Sequence, residues 1–210
     1  MGTEFSTCDP LDTSLCAFPF PSSFFTVDNQ DTPSGYRINF GETTLPINQN
    51  DNQPSPRFWN ERDGFSPLTP ILTYFSDVDL SGVIGHDRLD TYTDSDVKTV
   101  ILDLETLERV PHFVELDMSH DMDDRRAFIL RPAQPLVSGH RYVVGIRNLN
   151  HTDGTPIQPS EAFEMLRDGI ETQDFDIEGR RQLYDEELFP ALDSTGFKQE
   201  ELVLAWDFVV

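Results

Sequence analysis

The stretch that decides the fold is residues 97–148, which read VKTVILDLETLERVPHFVELDMSHDMDDRRAFILRPAQPLVSGHRYVVGIRN. Within it, residues 97–102, 109–116, 127–132 and 142–146 carry alternating or continuous apolar side chains, a pattern typical of β-strands. Polar turns and loops separate these runs, so we predict that the first two strands form a hairpin and that all four follow one another as a meander. Short strands at this spacing predict an antiparallel sandwich.

The residues after this stretch predict two helices and a closing strand. Ser160 is placed to cap a first helix over residues 161–167, which has acidic residues early, as the helix dipole favours. A second helix is predicted over about residues 177–192, and Pro190 should bend it or end it early. Residues 202–210, LVLAWDFVV, form a strongly apolar closing strand.

These patterns together predict a mainly β fold. We expect an Ig-like antiparallel β-sandwich over residues 67–210, beginning with a strand at residues 70–75. A short two-helix insertion at about residues 160–196 precedes the last strand.

The first part of the chain has few periodic runs and is rich in Pro, Asn, Gln, Asp and Ser. We predict that residues 8–66 form an extended N-terminal strap that wraps around the sandwich. Four phenylalanines interleaved with prolines are expected to dock it there, namely Phe18, Phe20, Phe24 and Phe25. Residues 1–7 look like a cloning remnant and a disordered end.

Composition limits the classes of partner. The chain has 210 residues, 37% of them hydrophobic, which is enough to bury a core in one domain. A formal net charge of −23 disfavours nucleic acid and anionic membranes by repulsion, so partners should be neutral, cationic or metal-bridged. Lys98 and Lys198 are the only lysines, and an acidic, lysine-poor composition predicts a salt-adapted surface. General disorder is the alternative, but the 16 phenylalanines argue against it.

The two cysteines, Cys8 and Cys16, lie close together in a segment without helical or strand pattern. This spacing suits a small disulfide loop in an oxidising compartment, and the alternative is two free thiols near a frayed terminus. The disulfide reading predicts an extracellular or cell-surface protein.

The sequence predicts no catalytic residue. A serine hydrolase usually carries its nucleophile in Gly-x-Ser-x-Gly, and the nearest match, GFSPL at residues 64–68, lacks the second glycine. The five histidines form no ligand pair at helical spacing, so no zinc framework is predicted either. Aromatic residues such as Trp59, Tyr74 and Tyr92 could stack on sugars, although core packing is expected for Trp59 and Tyr74.

Two acidic loops are candidate sites for a structural calcium ion. Asp77, Asp79 and Ser81 reproduce the opening of a calcium loop, but Arg88 stands where the closing acid is expected, so Asp87 or Asp90 would have to serve instead. The second loop concentrates carboxylates at Asp117, Asp121, Asp123 and Asp124. In both loops the alternative is a solvated acidic turn in a protein that is acidic everywhere. No other cofactor is predicted.

Four motifs occur in a recognisable order: LCAFPFPSSFF at residues 15–25, DGFSP at 63–67, RPAQPLVSGHRYVV at 131–144 and LAWDF at 204–208. Together they resemble the N-terminal region of large secreted bacterial proteins that carry a lipase-like or esterase-like α/β-hydrolase domain after it. The central part is also similar to the bacterial Ig-like domains of surface-layer and adhesion proteins. The resemblance implies an accessory, noncatalytic region, with any hydrolase domain beginning beyond Val210.

These observations lead to one functional prediction. We expect an extracellular, noncatalytic module of a larger secreted or surface protein, which binds, presents or spaces a partner. That partner would be an attached hydrolase-like domain, an extracellular polymer or a cell surface. The alternative is a catalytic part of a secreted lipase, esterase or glycosidase.

Overall fold

The structure is a computed structural model that describes residues 7–119, 122 and 126–210. Within these residues, eight strands form three antiparallel sheets, so the fold is mainly β and consistent with a β-sandwich. One three-stranded sheet has the order β3-β6-β5, another has the order β4-β7-β8, and β1 pairs with β2. The strands are β1 Thr26–Asp28, β2 Tyr36–Ile38, β3 Ile71–Thr73, β4 Thr99–Asp103, β5 His112–Leu116, β6 Phe128–Pro132, β7 Arg141–Arg147 and β8 Leu202–Val209.

The strand pairing differs from the predicted meander. β4 pairs with β7, and β5 pairs with β6, so the predicted hairpin between the first two strands was wrong. Only an isolated bridge links the next residues to β4, with the Val110 N–H donating to the Ile101 carbonyl at 2.8 Å. Pro111 follows and has no N–H to continue the ladder, and the chain passes to the other sheet.

The β4-β7-β8 sheet is covered on both faces. On one face, Thr99 Oγ1 of β4 lies 2.9 Å from His112 Nε2 of β5, in the other three-stranded sheet. On the opposite face, a Cβ added at Gly145 would lie 2.8 Å from Leu192 Cδ2, so a helix approaches closely there. Because β8 is buried at all eight positions, its sequence is a nearly continuous apolar run.

Two segments that contain α-helices lie between β7 and β8 in the described part of the chain. The first, α1 Glu161–Arg167, has the predicted bounds, and Ser160 Oγ accepts the Phe163 N–H at 3.2 Å, which confirms the predicted cap. The second comprises α2 Phe175–Leu183, a π-helical turn at Tyr184–Leu188 and α3 Phe189–Ser194.

Pro190 does not end the second helical segment. In the π-helical turn the Phe189 N–H donates to the Tyr184 carbonyl, five residues back. Pro190 then lies in the first turn of α3, where its missing N–H is not needed for an intrahelical bond. The helix therefore changes its hydrogen-bond register before the proline and continues to Ser194.

The N-terminal segment lies against both three-stranded sheets. Phe20 exchanges backbone hydrogen bonds of 2.8 and 2.6 Å with Leu72 of β3, and Trp206 Nε1 of β8 donates to the Pro21 carbonyl at 2.7 Å. Phe18 and Phe25 are buried, whereas Phe20 and Phe24 are partly buried against the core. In the described part of the chain, no helix combines the length and the apolarity needed to cross a bilayer.

Candidate binding site

A cleft of about 580 Å³ lies between the N-terminal segment, α2 and β8. Residues 22–28, which include a 3-10 turn at Ser23–Phe25 and strand β1, form one wall, and side chains of α2 form the other. Trp206 and Asp207 of β8 and Arg141 of β7 also line the cleft. Small-molecule sites have volumes of roughly 300–1,000 Å³, so this cleft is large enough to hold a ligand.

Asp207 is a buried carboxylate in the lining of this cleft. Its Oδ2 lies 3.3 Å from Arg141 Nε, and Arg141 also lies 3.5 Å from Glu187 Oε2. Burial raises the pKa of Asp207, although Arg141, the Ser23 hydroxyl and Arg180 act to lower it.

Two polar atoms in the lining of the cleft are buried without a hydrogen-bond partner among the described residues, Ser23 Oγ and Asp207 Oδ2. The Ser23 hydroxyl is near enough to influence the carboxylate, but the two side chains do not meet with hydrogen-bond geometry. Leaving a buried polar atom unpaired costs about 1–3 kcal/mol, and native proteins contain few such atoms. Two such atoms in the lining of one cleft therefore indicate hydrogen-bonding capacity that is available to a ligand.

A second buried aspartate, Asp9, holds another arginine of the cleft. Asp9 Oδ1 accepts the Arg180 Nη2–H at 2.9 Å and the Leu11 N–H at 3.1 Å. Its Oδ2 accepts the Ser22 hydroxyl at 3.1 Å. Burial acts to lower the pKa of Arg180, but the charge and hydrogen bond of Asp9, together with the nearby Tyr184 and Asp207, outweigh it and raise the pKa. Each of these groups is paired, so this side of the cleft has the hydrogen bonding of a structural contact.

The remaining lining combines apolar side chains with hydroxyl, amide and acidic groups. Asp28 is exposed and Asp176 is half-buried, and both line the same cleft as Asp207, Arg141 and Arg180. Phe175, at the start of α2, is 66% exposed beside this cleft. An exposed phenyl ring next to a cavity supplies apolar area that a bound molecule could cover.

A separate cluster brings together three possible metal ligands, Asp103 at the end of β4, Glu105 in the following turn and His140 just before β7. It is the one such group of His, Cys, Asp and Glu side chains in the described residues. His140 Nδ1 lies 2.8 Å from Asp103 Oδ2 and 3.9 Å from Glu105 Oε2. Only the fold joins these residues, because Asp103 and His140 are 37 positions apart.

The hydrogen bonds within this cluster already satisfy its groups. The bond with Asp103 raises the pKa of His140. Burial acts to raise the pKa of Asp103, but hydrogen bonds from His140 and the Glu105 N–H outweigh it and lower the pKa. Both Glu105 oxygens accept the Arg141 N–H at 3.0 Å. A divalent ion would have to displace the proton on His140, so the geometry favours an ion pair that fixes the turn before β7.

The first predicted calcium loop follows β3. Asp79 Oδ1 accepts both the Ser81 N–H at 2.9 Å and the Ser81 hydroxyl at 2.7 Å, and these bonds lower the pKa of Asp79. Asp77 is exposed in a left-handed conformation, with a φ of 46°, and its carbonyl accepts the Thr152 N–H at 2.7 Å. Ser81 thus donates to Asp79 in a local turn, and calcium binding at this loop stays a prediction.

The second predicted calcium loop is only partly described. Asp121, Asp123 and Asp124 lie outside the described residues. Asp117 Oδ1 accepts the Ser119 N–H at 2.9 Å, again in a local turn. Calcium binding here also stays a prediction.

Cys8 and Cys16 form a disulfide that closes a loop containing two buried aspartates, Asp9 and Asp12. Asp12 Oδ2 accepts the Thr73 hydroxyl at 2.7 Å and the Tyr74 N–H at 3.0 Å. The disulfide loop is therefore connected to α2 through Asp9 and to β3 through Asp12.

The residues that line the cleft were not predicted from the sequence. Ser23, Arg141, Arg180 and Asp207 are spread over most of the chain, and no local pattern links them. One signal was present, because Asp207 is the single charged residue in the apolar run LVLAWDFVV. A carboxylate in the middle of a buried strand is rare unless it is paired or functional. Trp59, for which core packing was expected, is 45% exposed and does not line the cleft.

Comparisons of the chain with protein-family models, with curated proteins and with solved structures find no match.

Proposed function

We propose that the chain is a noncatalytic module that binds a ligand in the cleft between residues 22–28, α2 and β8. The observation that carries this proposal is the pair of buried atoms Ser23 Oγ and Asp207 Oδ2, neither of which has a hydrogen-bond partner among the described residues. A ligand that forms hydrogen bonds with both atoms would remove a cost that the free protein bears. The adjacent exposed ring of Phe175 would contribute apolar contact.

The proposed setting is an extracellular or cell-surface location within a larger secreted protein. A disulfide between Cys8 and Cys16 is stable in an oxidising compartment, which supports this location. The resemblance to the region that precedes lipase-like and esterase-like domains supports an accessory role. The ligand would then belong to an attached domain, an extracellular polymer or a cell surface.

The proposal extends to the architecture. The two three-stranded sheets would form an Ig-like sandwich, and residues 8–66 would act as a strap that also supplies one wall of the cleft. Removing residues 1–30 would take away Phe18, Phe20, Phe24 and Phe25, and each buried aromatic contributes roughly 1.5–3 kcal/mol. The shortened protein should melt lower or aggregate. Unchanged stability would show that this segment is independent of the sandwich.

A ligand screen followed by nuclear magnetic resonance tests whether the cleft binds. The backbone amides and the Trp206 indole of the labelled protein would be monitored during additions of neutral saccharides, polyols, amines and carboxylates. Shifts should concentrate at residues 23–28, in the first turns of α2 and around Asp207. Shifts confined to other surfaces, or no shifts with any class, would overturn the proposal.

Hydrolysis assays separate this proposal from the catalytic alternative. The purified chain should not turn over p-nitrophenyl esters or p-nitrophenyl glycosides above background. Turnover that disappears in Asp207→Asn would favour the lipase, esterase or glycosidase reading instead. Asp79→Asn, which removes a carboxylate from a distant loop, is the matched control.

A further inference from the structure

We infer that the ligand of this cleft is a neutral saccharide that places hydroxyl groups on Asp207 and Ser23 and an apolar ring face on Phe175. The inference rests on the proposed function, because it assumes that the cleft is the binding site. It adds the chemical class of the ligand, which follows from three features of the lining: hydrogen-bonding capacity, charge and apolar area.

The hydrogen-bonding groups select a ligand that donates. A carboxylate oxygen only accepts, so an atom that pairs with Asp207 Oδ2 must carry a proton. Ser23 Oγ can donate or accept, and a hydroxyl group of a ligand matches either role. Both atoms are buried, so a ligand that binds them exchanges a missing hydrogen bond for a good one. A polyhydroxylated molecule can supply both donors from one small scaffold.

The charges select a neutral ligand. Arg141 is already beside Asp207 at 3.3 Å and Glu187 at 3.5 Å, and Arg180 is held by Asp9 at 2.9 Å. A ligand carboxylate or phosphate would have to compete with these protein acids, in a chain whose net charge is −23. A ligand cation at Asp207 would meet the Arg141 guanidinium directly. A neutral donor avoids both conflicts, because Arg141 already balances the charge of Asp207.

The apolar lining suits the C–H face of a sugar ring. Phe175 is 66% exposed at the mouth of the cleft, and Phe24 lines the opposite wall with the Arg180 guanidinium 5.0 Å from its ring centre. Aromatic side chains cover apolar faces with little loss of conformational freedom. A volume of about 580 Å³ accommodates a short saccharide segment. The segment could be a free sugar or part of a longer glycan, because both present the same hydroxyl groups.

The test is a calorimetric titration of the full chain with a panel of neutral disaccharides, maltose, cellobiose and N,N′-diacetylchitobiose. Gluconate and putrescine serve as the anionic and cationic probes. Binding by at least one disaccharide is expected, together with shifts of the cleft resonances. Ser23→Ala should weaken that binding roughly tenfold and Asp207→Asn roughly ten- to a hundredfold, the losses expected for a neutral and a charged hydrogen bond. Phe175→Ala should also weaken it, whereas Asp79→Asn should leave it unchanged.

A structural readout separates binding from folding. Ser23→Ala should retain or raise the melting temperature while it weakens saccharide binding, a combination that a merely structural serine would not give. Longer oligosaccharides of the same linkage identify the source. Tighter binding of the hexamer than of the dimer indicates a polymer, and equal binding indicates a free sugar.

The two levels of proposal fail differently. Binding of putrescine or gluconate in the cleft, with no disaccharide bound, would overturn the saccharide assignment and leave the binding function standing. Disaccharide binding that is unaffected by Ser23→Ala and Asp207→Asn would also overturn the assignment. If no probe in the panel perturbs the cleft at millimolar concentration, both the saccharide assignment and the binding function are overturned.

Discussion

The two buried aspartate–arginine pairs beside the cleft are built from the same residue types but differ in their hydrogen bonding. Asp9 makes bonds to Arg180, to the Leu11 N–H and to Ser22, so both of its oxygens are used. Asp207 lies 3.3 Å from Arg141, yet its Oδ2 has no hydrogen-bond partner in the described part of the chain. The same chemical pair is therefore complete in one place and incomplete in the other.

The difference separates a structural role from a functional one. A fully paired buried ion contributes chiefly to holding its elements together, and Asp9 connects the disulfide loop to α2. An incompletely paired ion next to a cleft is a cost to the free protein that a bound ligand can offset. Burial alone does not distinguish the two cases, since Asp9 is fully buried and Asp207 is 6% exposed. The number of hydrogen bonds that each carboxylate accepts does distinguish them.

The largest expected effect comes from removing each carboxylate in turn. Asp9→Ala leaves the Arg180 guanidinium, whose side chain is only 16% exposed, without its counter-ion. Losing one partner of a buried pair costs about 3–5 kcal/mol, so we expect a loss of that size in urea unfolding. Asp207→Ala should cost less than about 1 kcal/mol, because Arg141 is more exposed and keeps Glu187 at 3.5 Å. Equal losses in the two variants would contradict the distinction between the pairs.

Acid should weaken the protein through a third buried polar group, His112, which is paired like Asp9. Its Nδ1 lies 2.9 Å from the Val110 carbonyl, an acceptor, so Nδ1 carries the proton and Nε2 accepts the Thr99 hydroxyl at 2.9 Å. Burial lowers the pKa of His112 from 6.5 to about 4. Because the unfolded chain takes up this proton more readily, the stability is complete above pH 6.5 and is lost as the pH falls towards 4. The loss from this group should be about 3 kcal/mol.

A histidine titration by nuclear magnetic resonance checks this assignment. The His112 ring signal should not titrate until well below pH 6.5, because burial lowers its pKa. His140 provides the internal control, because its bond to Asp103 raises its pKa and moves its transition in the opposite direction. Transitions of the two rings at the same pH would contradict the buried, hydrogen-bonded state of His112.

Substitutions of the adjacent serines Ser22 and Ser23 test the same distinction, with smaller expected changes in stability. Ser22 Oγ accepts the Phe24 N–H at 3.2 Å and donates to Asp9, so Ser22→Ala removes both a cap and a buried hydrogen bond. A loss of roughly 1–2 kcal/mol is expected from thermal or urea unfolding. Ser23→Ala removes an unpartnered hydroxyl and should leave the stability unchanged or raise it slightly. A loss for Ser23→Ala as large as that for Ser22→Ala would show that Ser23 has a structural partner.

What the sequence could predict depended on how local the determining interactions are. The capped helix at residues 161–167 was predicted with its correct bounds, because Ser160 and the early acids act within one turn. The pairing of β4 with β7 was not predicted, because an apolar run identifies a strand without identifying its neighbour. Candidate sites followed the same rule. Asp77 and Asp79 could be selected from the sequence because acids are dense there, whereas Arg180 and Asp9 are 171 positions apart and meet only in the fold.

The smallest expected effect concerns the acidic loop that contains Asp77 and Asp79. It tests whether these carboxylates are satisfied, like Asp9, or available to a ligand, like Asp207. Asp79 Oδ1 already accepts two bonds from Ser81, and both Asp77 and Ser81 are exposed to solvent. Water can hydrogen-bond to the remaining oxygens, so no buried atom requires a ligand. A cation would stabilise the loop mainly by reducing repulsion among its acids.

We therefore expect calcium, magnesium and sodium at matched ionic strength to raise the melting temperature by the same small amount. Asp79→Asn should not change that response. A rise that is specific to millimolar calcium, follows mass action and disappears in Asp79→Asn would instead establish a bound ion at this loop. Incomplete pairing in a buried position would then not be the only feature of this chain that marks a binding site, because an exposed carboxylate loop would mark one too.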